Sequence, residues 1–256
     1  MVDERIPYRC ETALLGLGYS VIKLHAEKRL SAPVASHTDM LFFRHGNTLI
    51  TSRNYFSEHA DTFKTIESIP DINIIISDEE LLSEYPKDRI FNCLAIGNKL
   101  FAKPEYLSES ISRYSAQRNL KFIPVKQGYP ACVTLAAGNL AITSDEGMAR
   151  KLQSESVRVM MIPNSDKIKL PPYKFGFIGG TAGVHKNTVY FIGNLLSHPC
   201  GKEIEAALCC EGYSCVSLDE ESDSLFDMGG IFFFEALTKN TADNGISTSP
   251  KNPKSV

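Results

Sequence analysis

The chain has 256 residues, 43% hydrophobic and 22% charged, which is enough to bury a sizeable core without disulfides or a metal ion. Its net charge is −3, and its lysines and arginines are scattered, so it lacks the basic stripe of a nucleic-acid-binding surface. No apolar run approaches the roughly 20 residues of a membrane span, and the charged start MVDERIPYRC lacks the apolar core of a signal peptide. We therefore expect a cytoplasmic protein that binds neither nucleic acid nor membrane, with its seven cysteines mostly as free thiols.

The predicted elements begin with a helix over residues 8–18, which ends in glycines that suit a C-terminal cap, and a strand over residues 19–25. A hairpin over residues 37–52 follows and turns at His45-Gly46-Asn47, because Gly and Asn tolerate positive φ. Next come a helix over residues 54–66 and a strand over residues 72–77. The run of β-branched residues in this strand predicts burial on both faces.

The same succession of hairpin, helix and strand then recurs. The second copy has a hairpin over 91–103, a helix over 104–119 and a strand over 121–126. The third turns at Gly138-Asn139, with a helix over 145–156 and a strand over 157–163. The fourth has a hairpin over 176–194, a helix over 198–210 and a strand over 213–218, and a fifth hairpin starts at residue 225.

These repeats predict the fold class α/β, as a five-bladed α/β propeller of five pseudo-symmetric ββαβ units. The N-terminal helix and strand complete the fifth unit, so pairing of the N- and C-terminal segments closes the ring and removes exposed sheet edges. We expect one domain over residues 1–237 and a polar, disordered tail over residues 238–256.

Several short motifs resemble an uncharacterised bacterial family of the pentein fold, also called the guanidino-group-modifying enzyme fold. The motifs are His37-Thr38-Asp39-Met40, Lys126-Gln127-Gly128-Tyr129 with Cys132, Ile142-Thr143-Ser144-Asp145, Gly176-Phe177-Ile178-Gly179-Gly180 and Asp227-Met228-Gly229. Arginine deiminases, dimethylarginine hydrolases and amidinotransferases have this architecture. The resemblance implies a cysteine that attacks a guanidinium carbon to give a covalent thiouronium, a histidine as acid and base, and acidic residues that hold the cation.

The chain departs from these enzymes at the nucleophile. They carry the cysteine in the last repeat, shortly after a glycine pair, where this chain reads Gly229-Gly230-Ile231. Either the thiol has moved to another repeat or the ring is not catalytic. Aligned on the hairpin turns, Cys132 corresponds to Met40, Phe91 and Gly180, at strand entrances that face the central channel.

Cys132 is the first thiol candidate, because the neighbouring Lys126 could lower its pKa; the alternative is a small buried residue at a strand start. His37 and Asp39 would point to the same face of a strand, as a base and a cation anchor, unless Asp39 only caps a loop. Cys93 is a weaker thiol candidate, since core packing explains it as well.

The remaining candidates would bind the substrate: Asn92, Lys126, Gln127, Asp227 and Gly180. The pair Gly179-Gly180 also fits a bend in a strand. No metal or cofactor is expected, because the cysteines between residues 200 and 215 lack the usual zinc-ligand spacing.

Two hypotheses follow. The first is a cysteine-dependent hydrolase or amidinotransferase that acts on a small cationic guanidine or amidine, with Cys132 as nucleophile, His37 as acid and base, and Asp39 and Asp227 as anchors. The second is a non-catalytic ring that binds a small ligand or protein partner, as the ribosome anti-association factor of this fold does. A homo-oligomer is compatible with both.

Overall fold

A computed structural model describes residues 1–83 and 87–235, and the predicted tail lies outside the described residues. In chain order, the strands and α-helices are β1 (Val2–Asp3), α1 (Tyr8–Gly16), β2 (Lys23–Leu24), α2 (Thr38–Leu41), β3 (Phe42–His45), β4 (Thr48–Ser52), α3 (Arg53–Glu58), α4 (Ala60–Glu67), β5 (Asn73–Ser77), β6 (Leu94–Ile96), β7 (Lys99–Ala102), α5 (Glu109–Gln117), β8 (Lys121–Pro124), β9 (Thr134–Ala137), β10 (Leu140–Thr143), α6 (Glu146–Ser154), β11 (Arg158–Met161), β12 (Ile168–Lys169), β13 (Ala182–His185), β14 (Thr188–Phe191), α7 (Gly201–Cys210), β15 (Ser214–Ser217) and β16 (Leu225–Phe226).

Four three-stranded sheets share one topology. In each, two antiparallel strands form a hairpin, and the strand that follows the next helix runs parallel to the second of them. The sheets are β3-β4-β5, β6-β7-β8, β9-β10-β11 and β13-β14-β15. The hairpins, helices and third strands therefore lie in the order that the sequence predicts.

The two ends of the described chain meet. Met1 and Phe232 exchange backbone hydrogen bonds of 2.7 and 3.1 Å, and β1 pairs in parallel with β2 across α1. These segments are the ones predicted to complete a fifth unit. No continuous ladder of hydrogen bonds joins the sheets within residues 1–83 and 87–235, so the closed five-bladed propeller stays a prediction.

Three details differ from the sequence prediction. The strand β5 is not buried on both faces: it lies at the edge of its sheet and Ile76 is exposed, because β-branched residues suit any pleated, half-covered strand. The helix predicted over 54–66 is interrupted at His59, between α3 and α4. The helix predicted from Pro104 begins as a short 3₁₀ turn, and α5 starts only at Glu109.

Local hydrogen bonds explain two helix ends that the sequence predicts, the start of α6 and the end of α1. The side chain of Asp145 accepts a 2.7 Å hydrogen bond from the backbone N–H of Met148 and caps α6. Two residues after the end of α1, Gly18 has a φ of 87°, which allows Tyr19 N–H to reach back to Leu14 O at 3.1 Å. Among the described residues, no helix is long and apolar enough to cross a membrane.

The hairpin register aligns the first strands with one another. Each hairpin encloses a two-residue turn, after His45, Ile96, Ala137 and His185 respectively. Counting back from these turns makes Met40, Phe91, Cys132 and Gly180 equivalent, as the sequence alignment predicted. The residues just before each first strand therefore approach one another at the same end of the hairpins.

Candidate active site

A thiol, a carboxylate and an amide meet where three of the hairpins begin. Cys132 Sγ donates a 2.8 Å hydrogen bond to Asp39 Oδ2. Asn92 Nδ2 donates to Cys132 Sγ at 3.0 Å and to the carbonyl oxygen of Asp39 at 3.2 Å. The amide oxygen of Asn92 accepts from the N–H of Ala131 at 3.0 Å. Asn92, from the second unit, thus holds the first and third units together around the sulfur.

Asp39 reaches the thiol from a helical turn, not from a strand. The sequence analysis placed His37 and Asp39 on one face of a strand, but residues Thr38–Leu41 form the short helix α2. His37 is its N-cap residue and Asp39 lies in its first turn. This turn directs the two side chains to different neighbours, so the predicted pairing of His37 with Asp39 is wrong in its geometry.

The imidazole of His37 lies between two carboxylates, and neither of its ring nitrogens has a hydrogen-bond partner among the described residues. Its Nδ1 is 3.8 Å from Asp227 Oδ1, and its Nε2 is 3.9 Å from Asp3 Oδ2. Burial lowers the pKa of His37 to about 4, although the charge of Asp3 opposes that shift. The imidazole is therefore neutral near pH 7 and can accept a proton at its one unprotonated nitrogen.

Asp3 is a buried member of this cluster that the sequence analysis missed. It lies on β1 and receives three hydrogen bonds from Arg5: from the backbone N–H to Oδ1 at 2.7 Å, from Nε to Oδ1 at 2.9 Å and from Nη2 to Oδ2 at 2.6 Å. Burial raises the pKa of Asp3, but these bonds outweigh it and the net shift is downward. No motif marks Asp3, because its role depends on β1 joining the other end of the chain.

Asp227 is held from the opposite side by backbone donors. Its Oδ2 accepts from Phe177 N–H at 2.8 Å and its Oδ1 from Gly229 N–H at 3.3 Å. Burial still raises the pKa of Asp227 to about 6.

Gly179 and Gly180 have no side chains, which allows the backbone of Ala131 and the carboxylate of Asp227 to pack closely against them. They belong to a 3₁₀ turn, Ile178–Thr181, rather than to a bend within a strand. A Cβ on Gly180 would lie 1.8 Å from Asp227 Oδ1, and one on Gly179 would lie 2.1 Å from the carbonyl oxygen of Ala131.

The electrostatics of the site keep the proton on the thiol and hold the pKa of Asp39 near neutrality. Burial raises the pKa of Asp39 to about 7, with a further rise from the charge of Asp227 that the hydrogen bond from Cys132 opposes. Burial and the two carboxylates raise the pKa of the Cys132 thiol well above its usual value. At rest the sulfur is therefore protonated, and its proton points to a carboxylate with a pKa near neutrality.

Lys126 does not act on Cys132 as predicted. Its side chain is exposed and lines a separate surface cavity of about 700 Å³ with Arg150 and Lys151. The pKa of the thiol is raised, not lowered. Gln127 braces its own loop: its Nε2 donates to Asp145 Oδ2 at 2.6 Å, and its Oε1 accepts from Tyr129 N–H at 3.1 Å.

The Cys93 thiol forms no hydrogen bond with a described member of this cluster, although with Asp39 it lines a cavity of about 220 Å³ between the first strands of the hairpins. Burial raises the pKa of its thiol, as the core-packing interpretation implies. Among the described residues, no group of three His, Cys, Asp or Glu side chains could hold a metal ion.

The chain matches the family of unknown function DUF6873 over residues 1–232. It belongs to that family. No curated protein matches the chain.

Solved structures with the same fold do match. A dimethylarginine dimethylaminohydrolase adduct with 4-chloro-2-hydroxymethylpyridine is 10% identical, with a TM-score of 0.53, over 83% of this chain and 82% of that one. The Pseudomonas aeruginosa enzyme of the same name, a cysteine-to-serine mutant with citrulline, is 10% identical, with a TM-score of 0.53 over 86% and 85%. An amidinotransferase of saxitoxin biosynthesis from Microseira wollei is 14% identical, with a TM-score of 0.50 over 82% and 75%. The fold of the DUF6873 chain is therefore that of the penteins, as its motifs suggested.

Proposed function

We propose that the protein is a cysteine-dependent enzyme that acts on the guanidine or amidine group of a small molecule. One observation carries the proposal: the Cys132 thiol donates to Asp39, whose pKa is raised to about 7, while a second buried carboxylate, Asp227, influences both groups. Within the described part of the chain, no lysine or arginine pairs with Asp39 or Asp227, and a thiol beside two such carboxylates suits a planar cationic substrate, because a carboxylate can accept paired N–H donors.

The reaction follows from these positions. The guanidinium enters between Asp39 and Asp227, and its positive charge lowers the pKa of the thiol. The Cys132 proton passes to Asp39, and the sulfur attacks the guanidinium carbon, so that a C–S bond forms and the C=N electrons move to nitrogen. The amine then leaves with a proton returned from Asp39, which gives the covalent thiouronium.

His37 serves the second half of the reaction. A water molecule, or an acceptor amine in a transferase, attacks the thiouronium carbon, and neutral His37 takes the proton that this nucleophile loses. Protonated His37 would then lie between Asp3 and Asp227, which stabilise the imidazolium. The C–S bond breaks with its electrons returning to sulfur, and the thiolate takes the proton that His37 holds, because Asp39 gave its own to the leaving amine.

Two structural inferences accompany this function. We infer a closed five-bladed ring, because the paired segments at Met1 and Phe232 occupy the place of a fifth unit beside four sheets of one topology. We also place the reaction in the cytoplasm, since all seven cysteines are free, as a reducing compartment would keep them.

Replacement of the nucleophile tests the proposal. We expect Cys132→Ala to abolish release of the amine or urea product from a panel of guanidines and amidines, while Cys93→Ala retains turnover. The measurement is product formation by mass spectrometry, together with thermal melts that show both variants to be folded. Undiminished turnover in Cys132→Ala would remove Cys132 from the mechanism.

The non-catalytic ring is supported by a different observation. The segment Gly229-Gly230-Ile231 has no cysteine, and the Cys132 thiol, which contacts Asp39, is protonated and only 6% exposed. Such a ring would bind guanidines without consuming them. Saturable binding with no product from any member of the panel would favour this second function.

A further inference from the structure

The side-chain amide of Asn92 has a fixed orientation beside the Cys132 thiol. The backbone N–H of Ala131 donates to Asn92 Oδ1 at 3.0 Å. Because a backbone N–H can only donate, this bond holds the carbonyl end of the amide at Ala131 and turns the NH₂ group toward the sulfur. Asn92 is only 2% exposed, so bulk water competes little for these contacts.

Both hydrogens of the Asn92 NH₂ group have acceptors among the described residues. Its Nδ2 lies 3.0 Å from Cys132 Sγ and 3.2 Å from the carbonyl oxygen of Asp39. The thioether sulfur of Met40 is a more distant acceptor, at 3.6 Å. The amide therefore approaches the thiol more closely than the neighbouring thioether, and it has no hydrogen left for a ligand.

The sulfur that accepts from Asn92 is also the donor in the bond to Asp39. Cys132 Sγ donates to Asp39 Oδ2 at 2.8 Å, so a transfer of this proton leaves a negative sulfur that still faces the N–H of Asn92. Hydrogen bonds with an ionised partner are roughly twice as strong as neutral ones. The contact therefore strengthens when the thiolate forms, and it favours the thiolate over the thiol.

The other surroundings of the sulfur disfavour the thiolate. Burial, followed by the charges of Asp39 and Asp227, raises the pKa of Cys132, whereas the bond from Asn92 lowers it. Lys126, the cation that the sequence places near the thiol, is exposed and lines a separate cavity. Within the described part of the chain, the donor that the sulfur has is the Asn92 amide.

We propose that Asn92 is a catalytic residue that stabilises the Cys132 thiolate, both when the sulfur attacks and when it leaves. After the thiol proton has moved to Asp39, the negative charge stays on the sulfur, which accepts the Asn92 N–H. Formation of the C–S bond removes this charge, and cleavage of that bond returns the electron pair to the sulfur beside the same donor. This role rests on the proposed function, and it differs from the substrate-binding role that the sequence predicts for Asn92.

The rate of Cys132 alkylation tests this role without any turnover. Neutral 2-chloroacetamide would be applied to the wild-type protein and to Asn92→Leu at pH 8, and modification of Cys132 read out by peptide mass spectrometry. Leucine has nearly the shape of asparagine but no N–H. We therefore expect modification to be at least about tenfold slower, as the loss of a hydrogen bond to a charged group implies. The control Met40→Leu removes only the distant sulfur acceptor and should leave the rate within about twofold of wild type.

The sign of the change separates this role from a structural one. If Asn92 only held the hairpin units together, its replacement would loosen them, and the thiol, in a residue now 6% exposed, would react faster. Unchanged or faster modification in folded Asn92→Leu would overturn the proposal, as would a wild-type Cys132 that is not modified. If Asn92→Leu does not fold, Asn92→Ala decides by the same comparison, because it removes the amide without adding bulk.

Binding of methylguanidine separates the same role from substrate binding. Isothermal titration calorimetry should give Asn92→Leu an affinity within about threefold of wild type, because both amide hydrogens already have acceptors. A loss of about tenfold or more in affinity would make Asn92 a substrate-binding residue and overturn the proposal.

The two proposals fail separately. Slower alkylation of Asn92→Leu, in a protein that turns over no guanidine, would reject the reaction and retain Asn92 as the donor to the thiolate. Guanidine turnover that Cys132→Ala abolishes, together with alkylation that Asn92→Leu leaves unchanged, would reject the role of Asn92 and retain the reaction.

Discussion

The two carboxylate oxygens of Asp39 have different surroundings in the folded protein. Its Oδ2 accepts a hydrogen bond from Cys132, but its Oδ1 has no partner among the described residues, and its pKa is raised to about 7 by burial. A buried carboxylate with one unpaired oxygen destabilises the folded protein when it ionises. Such a cost is typical of a functional site.

The pH dependence of stability should therefore change in Asp39→Asn. Because the folded pKa of about 7 exceeds the unfolded value near 3.8, the stabilising effect of protonated Asp39 is complete below about pH 4 and is lost as pH rises through 7. The asparagine variant has no such loss, so we expect it to be more stable than wild type at pH 8, by on the order of a few kcal/mol. Urea unfolding at pH 5 and pH 8 measures this difference.

Asp227→Asn is the matched control for this prediction. The pKa of Asp227 is also raised, to about 6, but both of its oxygens accept backbone N–H groups, so the amide NH₂ of asparagine would face a donor and outweigh the gain from removing the charge. We expect this variant to be less stable than wild type at pH 8. A destabilised Asp39→Asn, or equal effects of the two changes, would contradict the account of Asp39.

At the scale of single residues, the sequence predicted most of the polar cluster. His37, Asp39, Asn92, Cys132, Gly180 and Asp227 meet as equivalent strand entrances should. Lys126 and Gln127 were misplaced, because adjacency in sequence does not determine which way a loop side chain points. Asp3 was missed, since its place in the cluster depends on β1 meeting the other end of the described chain.

At the scale of elements, short turns position the site. The helix α2 directs Asp39 to the thiol, and the 3₁₀ turn Ile178–Thr181 packs against the backbone next to Cys132. The sequence predicted a strand for residues 40–43, because an apolar run of this length fits a strand as well as a turn of helix. The helix α2 and the 3₁₀ turn could be identified only from their contacts in the folded structure.

Gly179→Ala tests whether this packing matters. An added Cβ would lie 2.1 Å from the carbonyl oxygen of Ala131 and 2.6 Å from that of Cys132, and backbone cannot move aside cheaply. We expect a loss of about 3 kcal/mol or more in the free energy of unfolding, the upper range for overpacked sites.

Gly16→Ala, within α1 and with nothing within 4 Å of its added Cβ, is the control. It should be neutral or stabilising by up to about 1 kcal/mol, because Ala favours the helix. Chemical denaturation of both variants makes the comparison. A Gly179→Ala protein as stable as Gly16→Ala would mean that the turn tolerates a shift.

At the scale of the whole molecule, the polar cluster draws on segments from both ends and the middle of the chain. Asp3 comes from β1, Asp39 from the first hairpin unit, Asn92 from the second, Cys132 from the third, and Asp227 from the C-terminal part. A pseudo-symmetric ring allows a nucleophile to move between equivalent strand entrances, and the sequence predicted this position for Cys132. It could not predict how deeply the thiol is buried, because that depends on how all the units pack.

Selective labelling of Cys132 tests the central claim most directly. The reagent is 2-chloroacetamidine, a cationic guanidine mimic, compared with neutral 2-chloroacetamide and read out by peptide mass spectrometry. If Cys132 is the nucleophile, the cationic reagent should modify it at least about tenfold faster than the neutral one, through attraction to the carboxylates. The rate should rise from pH 6 to 8, because Asp39 accepts the thiol proton only when ionised, above its pKa of about 7. The preference should disappear in Asp39→Asn. If exposed Cys209 and Cys210 react first with both reagents while Cys132 stays unmodified, the claim is contradicted.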